Sequence, residues 1–141
     1  MNRFCITVFA SLFAALPAFA AGDVAAGEQV FRKCKACHAI ADDAGNVIQK
    51  GGKTGPNLYG IVGKSAASVE GYKYSKSMVA AGEAGLVWDE EHFVAYVQNP
   101  SKFLKEYLDD SKAKSKMTLK LRKGMEDIYA YLLSIGPDSG S

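Results

Sequence analysis

Three residues with reactive or metal-binding side chains lie within one five-residue stretch of the 141-residue chain: Cys34, Cys37 and His38. The Cys-x-x-Cys-His spacing is typical of covalent haem attachment. If the stretch is helical, the two sulfurs lie on one face about one turn apart, which suits the two vinyl groups of one haem. The imidazole of His38 can then bind the iron as an axial ligand. The spacing therefore predicts one haem c.

Two other uses of this spacing fit the chain less well. A thioredoxin-like redox pair should follow a buried strand and open the helix of a βαβ unit, and no such strand pattern precedes Cys34. A zinc site needs about four nitrogen or sulfur ligands, whereas the chain offers only Cys5 and His92 besides these three residues. A chance occurrence of the five residues is the remaining alternative.

The first 20 residues have the pattern of a secretory signal peptide. Arg3 supplies a positive charge, residues 4–16 an apolar core, and residues 18–20 a small-residue cleavage site. The apolar core is shorter than the roughly 20 residues that span a bilayer, and an uncleaved anchor is the alternative. We expect cleavage after residue 20, a single domain at 21–141, and a periplasmic location. Cys5 would leave with the signal, so no disulfide is expected.

Charge is unevenly distributed along the rest of the chain. The whole chain has a formal charge of +2, which indicates no polyanionic partner. The segment 102–123, however, contains eight Lys or Arg residues against three acidic ones, a net charge of +5. A length of 121 residues after cleavage, without internal repeats, favours one compact domain.

Capping residues and apolar spacing predict an all-α chain with long loops. Asp23 is a plausible N-cap of a first helix that leads into the haem motif, and Gly27 within it would let another helix approach closely. A small hairpin or loop is expected at 39–48. The glycine-rich stretch 51–58 predicts a loop, and it lacks the spacing of a nucleotide-binding P-loop.

The second half of the chain continues this pattern. A helix is expected over 88–98, with acidic residues in its first turn. Asn99 can cap the next helix, with Pro100 at its first position. A charged loop follows at 109–116, and a last helix over 125–135 ends before a Gly-Pro pair.

A second axial ligand is expected, since electron-transfer haems commonly pair methionine with histidine. Met117 lies in a polar, basic segment where an apolar thioether has no periodic partner, so it is the predicted ligand. Met78 is expected to fill a gap in the core, and Met125 lies on the apolar stripe of the last helix. His92 is the competing ligand, but its acidic neighbours favour a surface position.

These residues together resemble the class I c-type cytochromes, and specifically the larger bacterial cytochrome c2 proteins, over essentially the whole mature chain. The resemblance rests on the haem motif and on several further stretches: Gly27 and Phe31, residues 54–60, residues 71–75, Trp88, residues 96–100, Lys116 and Met117, and residues 126–132. It implies a single-domain class I cytochrome c fold, in which helices and loops wrap around one covalently bound haem.

The resemblance also implies roles for residues around the haem. The Pro56 carbonyl should accept a hydrogen bond from the His38 ring and so fix its tautomer. Tyr74 and Trp88 should bond a haem propionate, and Tyr96 should approach the sulfur of the methionine ligand.

Further implications concern packing and two departures from the family pattern. The first and last helices should cross at Gly27 and Ala130. Lys64 stands where the family usually has a propionate-binding arginine, whose planar contact a lysine does not reproduce. Leu119 replaces an aromatic residue that is common two positions after the methionine. The stretch 100–117 is longer than in mitochondrial relatives.

The function that the resemblance implies is a soluble periplasmic electron carrier, not an enzyme. The expected donor is a cytochrome bc1-type complex, and the expected acceptor is a terminal oxidase or a photosynthetic reaction centre. Docking is expected to be transient and electrostatic, through lysines near the haem edge: Lys33, Lys53, Lys102, Lys116, Lys120 and Lys123. A peroxidase, which needs an open iron position, and a sensor or redox-enzyme subunit are the alternatives.

Overall fold

A computed structural model describes residues 22–137 of the chain. Within this range five helices and a two-stranded sheet follow one another: α1 (Val24–Phe31), β1 (Ile40–Ala41), β2 (Val47–Gln49), α2 (Lys76–Glu83), α3 (Glu90–Gln98), α4 (Pro100–Tyr107) and α5 (Met125–Ser134). The predicted helical class is confirmed, and long loops join most of the helices. The predicted signal peptide at 1–20 lies outside the described residues.

Helices α1 and α5 cross in close contact, and Gly27 lies at the crossing. A Cβ added at Gly27 would overlap the carbonyl of Asp127 and lie 2.7 Å from the Cβ of Tyr131. Only a glycine therefore lets the two helices approach this closely. The predicted role of Gly27 is present, but its nearest neighbours on α5 are Asp127 and Tyr131 and not Ala130.

Side-chain caps begin α1 and α4 at the predicted residues. Asp23 caps α1 by accepting a hydrogen bond from the Ala26 N–H at 2.9 Å. Asn99 caps α4, with Pro100 at its first turn. Asp89, predicted to lie in the first turn of α3, is instead its N-cap and accepts a hydrogen bond from the His92 N–H at 2.9 Å. These polar contacts satisfy N–H groups that a helix leaves unpaired.

The hairpin predicted at 39–48 is present as β1 and β2, which pair antiparallel with a bulge between Ile40 and Ala41. Asp42 organises its turn, since its carboxylate accepts hydrogen bonds from the backbone of Ala44 and of Asn46 at 3.0 and 2.8 Å. The hydrogen bonds from Asn46 hold the pKa of Asp42 below its usual value. These contacts all lie within the turn, as the polar residues of this stretch indicate.

Apolar side chains from all five helices, β1 and the loops form the core, in which the largest fully buried ones are Phe31, Ile40, Leu86, Pro100, Leu104, Ile128 and Leu132. Val24 shares the helical spacing of the buried α1 residues, yet 45% of it is exposed. It lies in the first turn, where the helix has not yet reached the core. None of the helices among residues 22–137 is long and apolar enough to cross a membrane.

Candidate haem site

One large cavity opens beside the haem motif and has a volume of about 320 Å³. This size is within the range of cavities that bind small molecules and cofactors. Its wall brings together the residues that the sequence predicts for haem attachment, iron ligation and the haem surroundings: Cys34, Cys37, His38, Pro56, Tyr74, Trp88, Tyr96 and Met117. These residues come from six separate places along the chain, so the fold assembles the cavity.

The haem motif follows α1 as a helix-like turn and does not continue the helix. The N–H groups of Cys37 and His38 both donate to the carbonyl of Cys34, at 3.0 and 2.9 Å. This turn places all three side chains on the cavity wall. The helix ends at Phe31, so the motif begins three residues beyond it.

His38 is held in one orientation by its neighbours in the 51–58 loop. Its Nδ1 lies 2.8 Å from the carbonyl oxygen of Pro56. Because a carbonyl only accepts, Nδ1 carries the proton, and Nε2 keeps a free lone pair for a metal. This is the hydrogen bond that the resemblance implies.

Burial lowers the pKa of His38, and the bond to Pro56 opposes that shift. The neutral imidazole is therefore favoured, and this is the form that binds iron. Gly55 packs against the flat face of the ring, and a Cβ there would lie 2.6 Å from Nδ1 of His38. The sequence does not single out Gly55, and only its contact with the ring reveals this role.

The two cysteines of the haem motif form no disulfide and lie in different surroundings. Cys34 is buried and Cys37 is exposed. Burial, with a contribution from the nearby Cys37, raises the pKa of Cys34 to about 11. A reactive redox cysteine has a lowered pKa, so Cys34 has the wrong electrostatics for the thioredoxin-like alternative. A buried neutral thiol that faces an apolar cavity suits a thioether to a cofactor.

Two methionines line the cavity, where the sequence predicts one. Met117 lies in an extended segment between α4 and α5 and is half buried. Met78, expected to fill the core, is 6% exposed and also reaches the cavity wall from α2. Met125 does not line the cavity. Helical spacing alone could not show that α2 turns this side chain toward the cavity.

The Tyr96 hydroxyl does not bond the sulfur of Met117. It lies 2.7 Å from the Ser115 hydroxyl, which also accepts a hydrogen bond from the Met117 N–H at 3.0 Å. Tyr96 thus contacts the backbone of the methionine segment through one serine. Burial raises the pKa of Tyr96 to about 12, so the phenol stays neutral.

Several aromatic rings also line the cavity. The rings of Trp88 and Tyr96 lie 5.0 Å apart, and those of Tyr72 and Tyr74 lie 4.7 Å apart. The hydroxyl of Tyr74 accepts a hydrogen bond from the Val69 N–H at 3.3 Å. Tyr72 was not a predicted site residue, although it lies in a stretch that carries the resemblance.

The predicted docking lysines do not form one uniform group. All six are exposed, and only Lys33 and Lys116 line the cavity. The Lys116 ammonium donates to the carbonyl of Lys73 and lies 5.8 Å from the centre of the Tyr72 ring. Lys102 pairs with Glu106 at 3.2 Å, a fully exposed contact of little energetic value. The cavity wall does not include the other three: Lys53, Lys120 and Lys123.

The sequence analysis singles out His92, Lys64 and Leu119, of which only Leu119 lines the cavity. His92 bonds Asp89 at 2.9 Å and packs against Tyr107 with ring centres 5.8 Å apart. It does not line the cavity, in agreement with the predicted surface position. Lys64 is exposed and also does not line the cavity, whereas Leu119 does.

Comparison with known proteins identifies relatives along almost the entire chain. Cytochrome c-551 of Roseobacter denitrificans is 57% identical over 139 residues, which cover 99% of both chains. Cytochrome c2 of Rhodobacter capsulatus is 54% identical and covers 89% of this chain and 91% of its own. No protein-family model matches the chain.

Solved structures show the same relationship. The structure of cytochrome c2 from Rhodobacter capsulatus superposes with a TM-score of 0.79 and covers 81% of this chain and 98% of its own. Cytochrome c2 from Paracoccus denitrificans, 47% identical, superposes with a TM-score of 0.80 and covers 83% and 98%. The chain therefore belongs to the cytochrome c2 family of class I c-type cytochromes: it is an electron carrier with a single covalently bound haem c, and it is not an enzyme.

Proposed function

We propose that Cys34 and Cys37 would hold the haem through thioethers and that His38 and Met117 would be the ligands of its iron. The observation that carries this assignment is the shared cavity, whose wall contains all four side chains. When bound, the haem supplies a one-electron couple between ferric and ferrous iron, and pairing methionine with histidine raises its reduction potential. The residues of the chain hold the haem and determine how redox partners approach it.

On the histidine side, the chain supplies a ligand that is already oriented and neutral. The Nδ1–H of His38 is committed to the Pro56 carbonyl at 2.8 Å, which leaves Nε2 free. Burial keeps the ring unprotonated by lowering its pKa. No proton would therefore have to leave Nε2 before a metal binds there.

On the methionine side, the assignment to Met117 and not to Met78 follows from the backbone. Met78 lies inside α2, where its N–H already bonds the Ser75 hydroxyl at 3.1 Å and its backbone is fixed by the helix. Met117 lies outside any helix or strand, in the irregular segment between α4 and α5, so helical geometry does not fix where its side chain points. Tyr96, which is buried, and Trp88, which is half-buried, line the same cavity.

We also propose that the protein is exported to the periplasm and works there with membrane redox partners. The support is the signal-like pattern at 1–20, with a mature domain at 21–141. Mass spectrometry of the exported protein should show a chain that begins at residue 21 and carries one haem. A mature mass that retains residues 1–20 would contradict the cleavage.

Electron exchange is proposed to run from a cytochrome bc1-type donor to a terminal oxidase or a photosynthetic reaction centre. Exposed lysines around the cavity mouth support this, because a carrier that must dissociate quickly uses a small interface and long-range charge. Lys33 and Lys116 lie on the cavity wall itself. Lys53, Lys102, Lys120 and Lys123 would add to the same positive field.

The ligand assignment is tested by Met117→Ala in the haem-loaded protein, with Met78→Ala as the matched control. Loss of the thioether from iron should abolish the red charge-transfer band of the ferric protein and let carbon monoxide bind the ferrous iron. Met78→Ala should keep the band, since it removes only packing. If Met78→Ala loses the band and Met117→Ala keeps it, the two methionines have been assigned the wrong way round.

A further inference from the structure

Met117 lies on the longest stretch between two helices in the second half of the fold. Helix α4 ends at Tyr107 and α5 begins at Met125, so 17 residues, 108–124, separate them. A residue on such a stretch has no helical or strand backbone to hold it in place, and loops are the most mobile parts of a fold. Something else must keep its side chain at the cavity.

Serine hydroxyls accept hydrogen bonds from three backbone N–H groups just before and at Met117. Ser77 of α2 accepts from the Lys114 N–H at 3.0 Å. Ser101, in the first turn of α4, accepts from the Ser115 N–H at 3.1 Å. Ser115 itself then accepts from the Met117 N–H at 3.0 Å. The segment lacks a ladder of backbone partners, and side chains supply the acceptors instead.

Packing supports these hydrogen bonds on both sides of Met117. Ala113, directly before them, is only 1% exposed, so it anchors the end of the charged loop. After Met117, the N–H of Leu121 donates to the carbonyl of Val97 in α3 at 2.8 Å. The segment is therefore fixed to three helices, and Ser77 and Ser101 are the side chains from outside the loop that accept from its backbone N–H groups just before Met117.

We infer that Ser77 and Ser101 are positioning residues that keep Met117 at the iron. This inference rests on the proposed ligation by Met117. Neither serine lines the cavity, so neither touches the haem, and their effect must pass through the loop backbone. Their hydroxyls shift the equilibrium toward the closed loop, in which the thioether is bound and small external ligands are excluded.

The effect can be measured by competition with imidazole at the ferric iron. Imidazole binds only when Met117 has left, so its dissociation constant reports the population of the open loop. Removal of one hydrogen-bond acceptor should make imidazole bind about five-fold tighter, the equivalent of ~1 kcal/mol. Ser101→Ala should show this effect, and Ser77→Ala a somewhat smaller one because Lys114 is exposed to water.

Two further variants separate positioning from general loss of stability. Ser101→Thr keeps a hydroxyl at the same place and should restore the affinity of the unchanged protein. Ser111→Ala removes an exposed serine from the same loop and should leave imidazole binding unchanged. Unfolding by guanidinium, followed for each variant, shows whether global stability alone explains any difference.

The outcomes distinguish this inference from the ligand assignment. If the charge-transfer band survives in Met117→Ala, both the ligation and the positioning role are overturned. If the band depends on Met117 but Ser77→Ala, Ser101→Ala and their double variant bind imidazole as the unchanged protein does, only the positioning role is overturned. A shift in Ser101→Ala that Ser101→Thr fails to reverse would also contradict it.

Discussion

Gly55 lies against the ring of His38, and Gly55→Ala should displace that ring. The new Cβ would lie 2.6 Å from Nδ1 and 2.8 Å from Nε2, far closer than carbon and nitrogen normally approach. The backbone of Gly55 is not in the left-handed region that disfavours alanine. The substitution therefore tests contact with the ring and nothing else.

The expected cost follows from two contacts. An extra methyl group in a packed site costs about 1–3 kcal/mol. Displacement of the ring would also lose the hydrogen bond from Nδ1 to the Pro56 carbonyl, worth about 1 kcal/mol. Replacing glycine restricts the unfolded chain and offsets about 0.4–1 kcal/mol of this. The free energy of unfolding should therefore fall by roughly 1–3 kcal/mol.

The assay is guanidinium unfolding of the haem-loaded protein, together with absorbance spectra and the reduction potential. Gly45→Ala is the matched control, since Gly45 has φ +86° and nothing within 4 Å of an added Cβ. That variant should lose stability through backbone strain and keep an unchanged haem spectrum. Gly55→Ala should lower the stability and also change the haem spectrum. If its spectrum and potential match those of Gly45→Ala, the contact does not position His38.

Three further predictions concern packing, pH and docking. Gly27→Ala should lower the free energy of unfolding by about 1–3 kcal/mol in a guanidinium titration, because its Cβ would lie 2.7 Å from that of Tyr131; an unchanged midpoint would contradict it. The pKa of Tyr96 is raised to about 12, so the unfolded chain loses this proton first and stability should fall by up to ~3 kcal/mol between about pH 10 and pH 12. Tyr96→Phe should lack that part of the decline, and an equal decline would refute it. Lys120→Glu with Lys123→Glu should slow electron exchange with an acidic partner at low salt and leave the spectrum unchanged, whereas rates indifferent to salt would contradict electrostatic docking.

Features set by short stretches of sequence could be predicted. The N-cap of α1 at Asp23, the Asn99 and Pro100 start of α4 and the hairpin near residue 40 are all present. Each depends on side chains that bond backbone groups two to four residues away, so a local pattern contains the needed information. Even the shift of Asp89 from the first turn to the N-cap of α3 changes the helix start by only two residues.

Contacts between distant parts of the chain could not be predicted in the same way. The bond between Tyr96 and Ser115 joins residues 19 apart, and that between Ser77 and Lys114 joins residues 37 apart. Serine is common in loops, so its presence indicates no particular partner. The approach of Met78 to the cavity likewise depends on how α2 is rotated against its neighbours, which the periodicity of eight residues does not define.

Lys116 shows why a count of charges along the sequence does not describe a docking surface. Its charge contributes to the long-range field whatever it bonds, so it can still raise the rate of encounter. In the bound complex, however, a partner carboxylate would compete with the Lys73 carbonyl and the Tyr72 ring for the same ammonium. Part of the free energy gained from any new ion pair would therefore be offset by the loss of these existing contacts. Lys116 should thus affect the association rate more than the dissociation rate, whereas Lys120, which is exposed and does not line the cavity, can affect both.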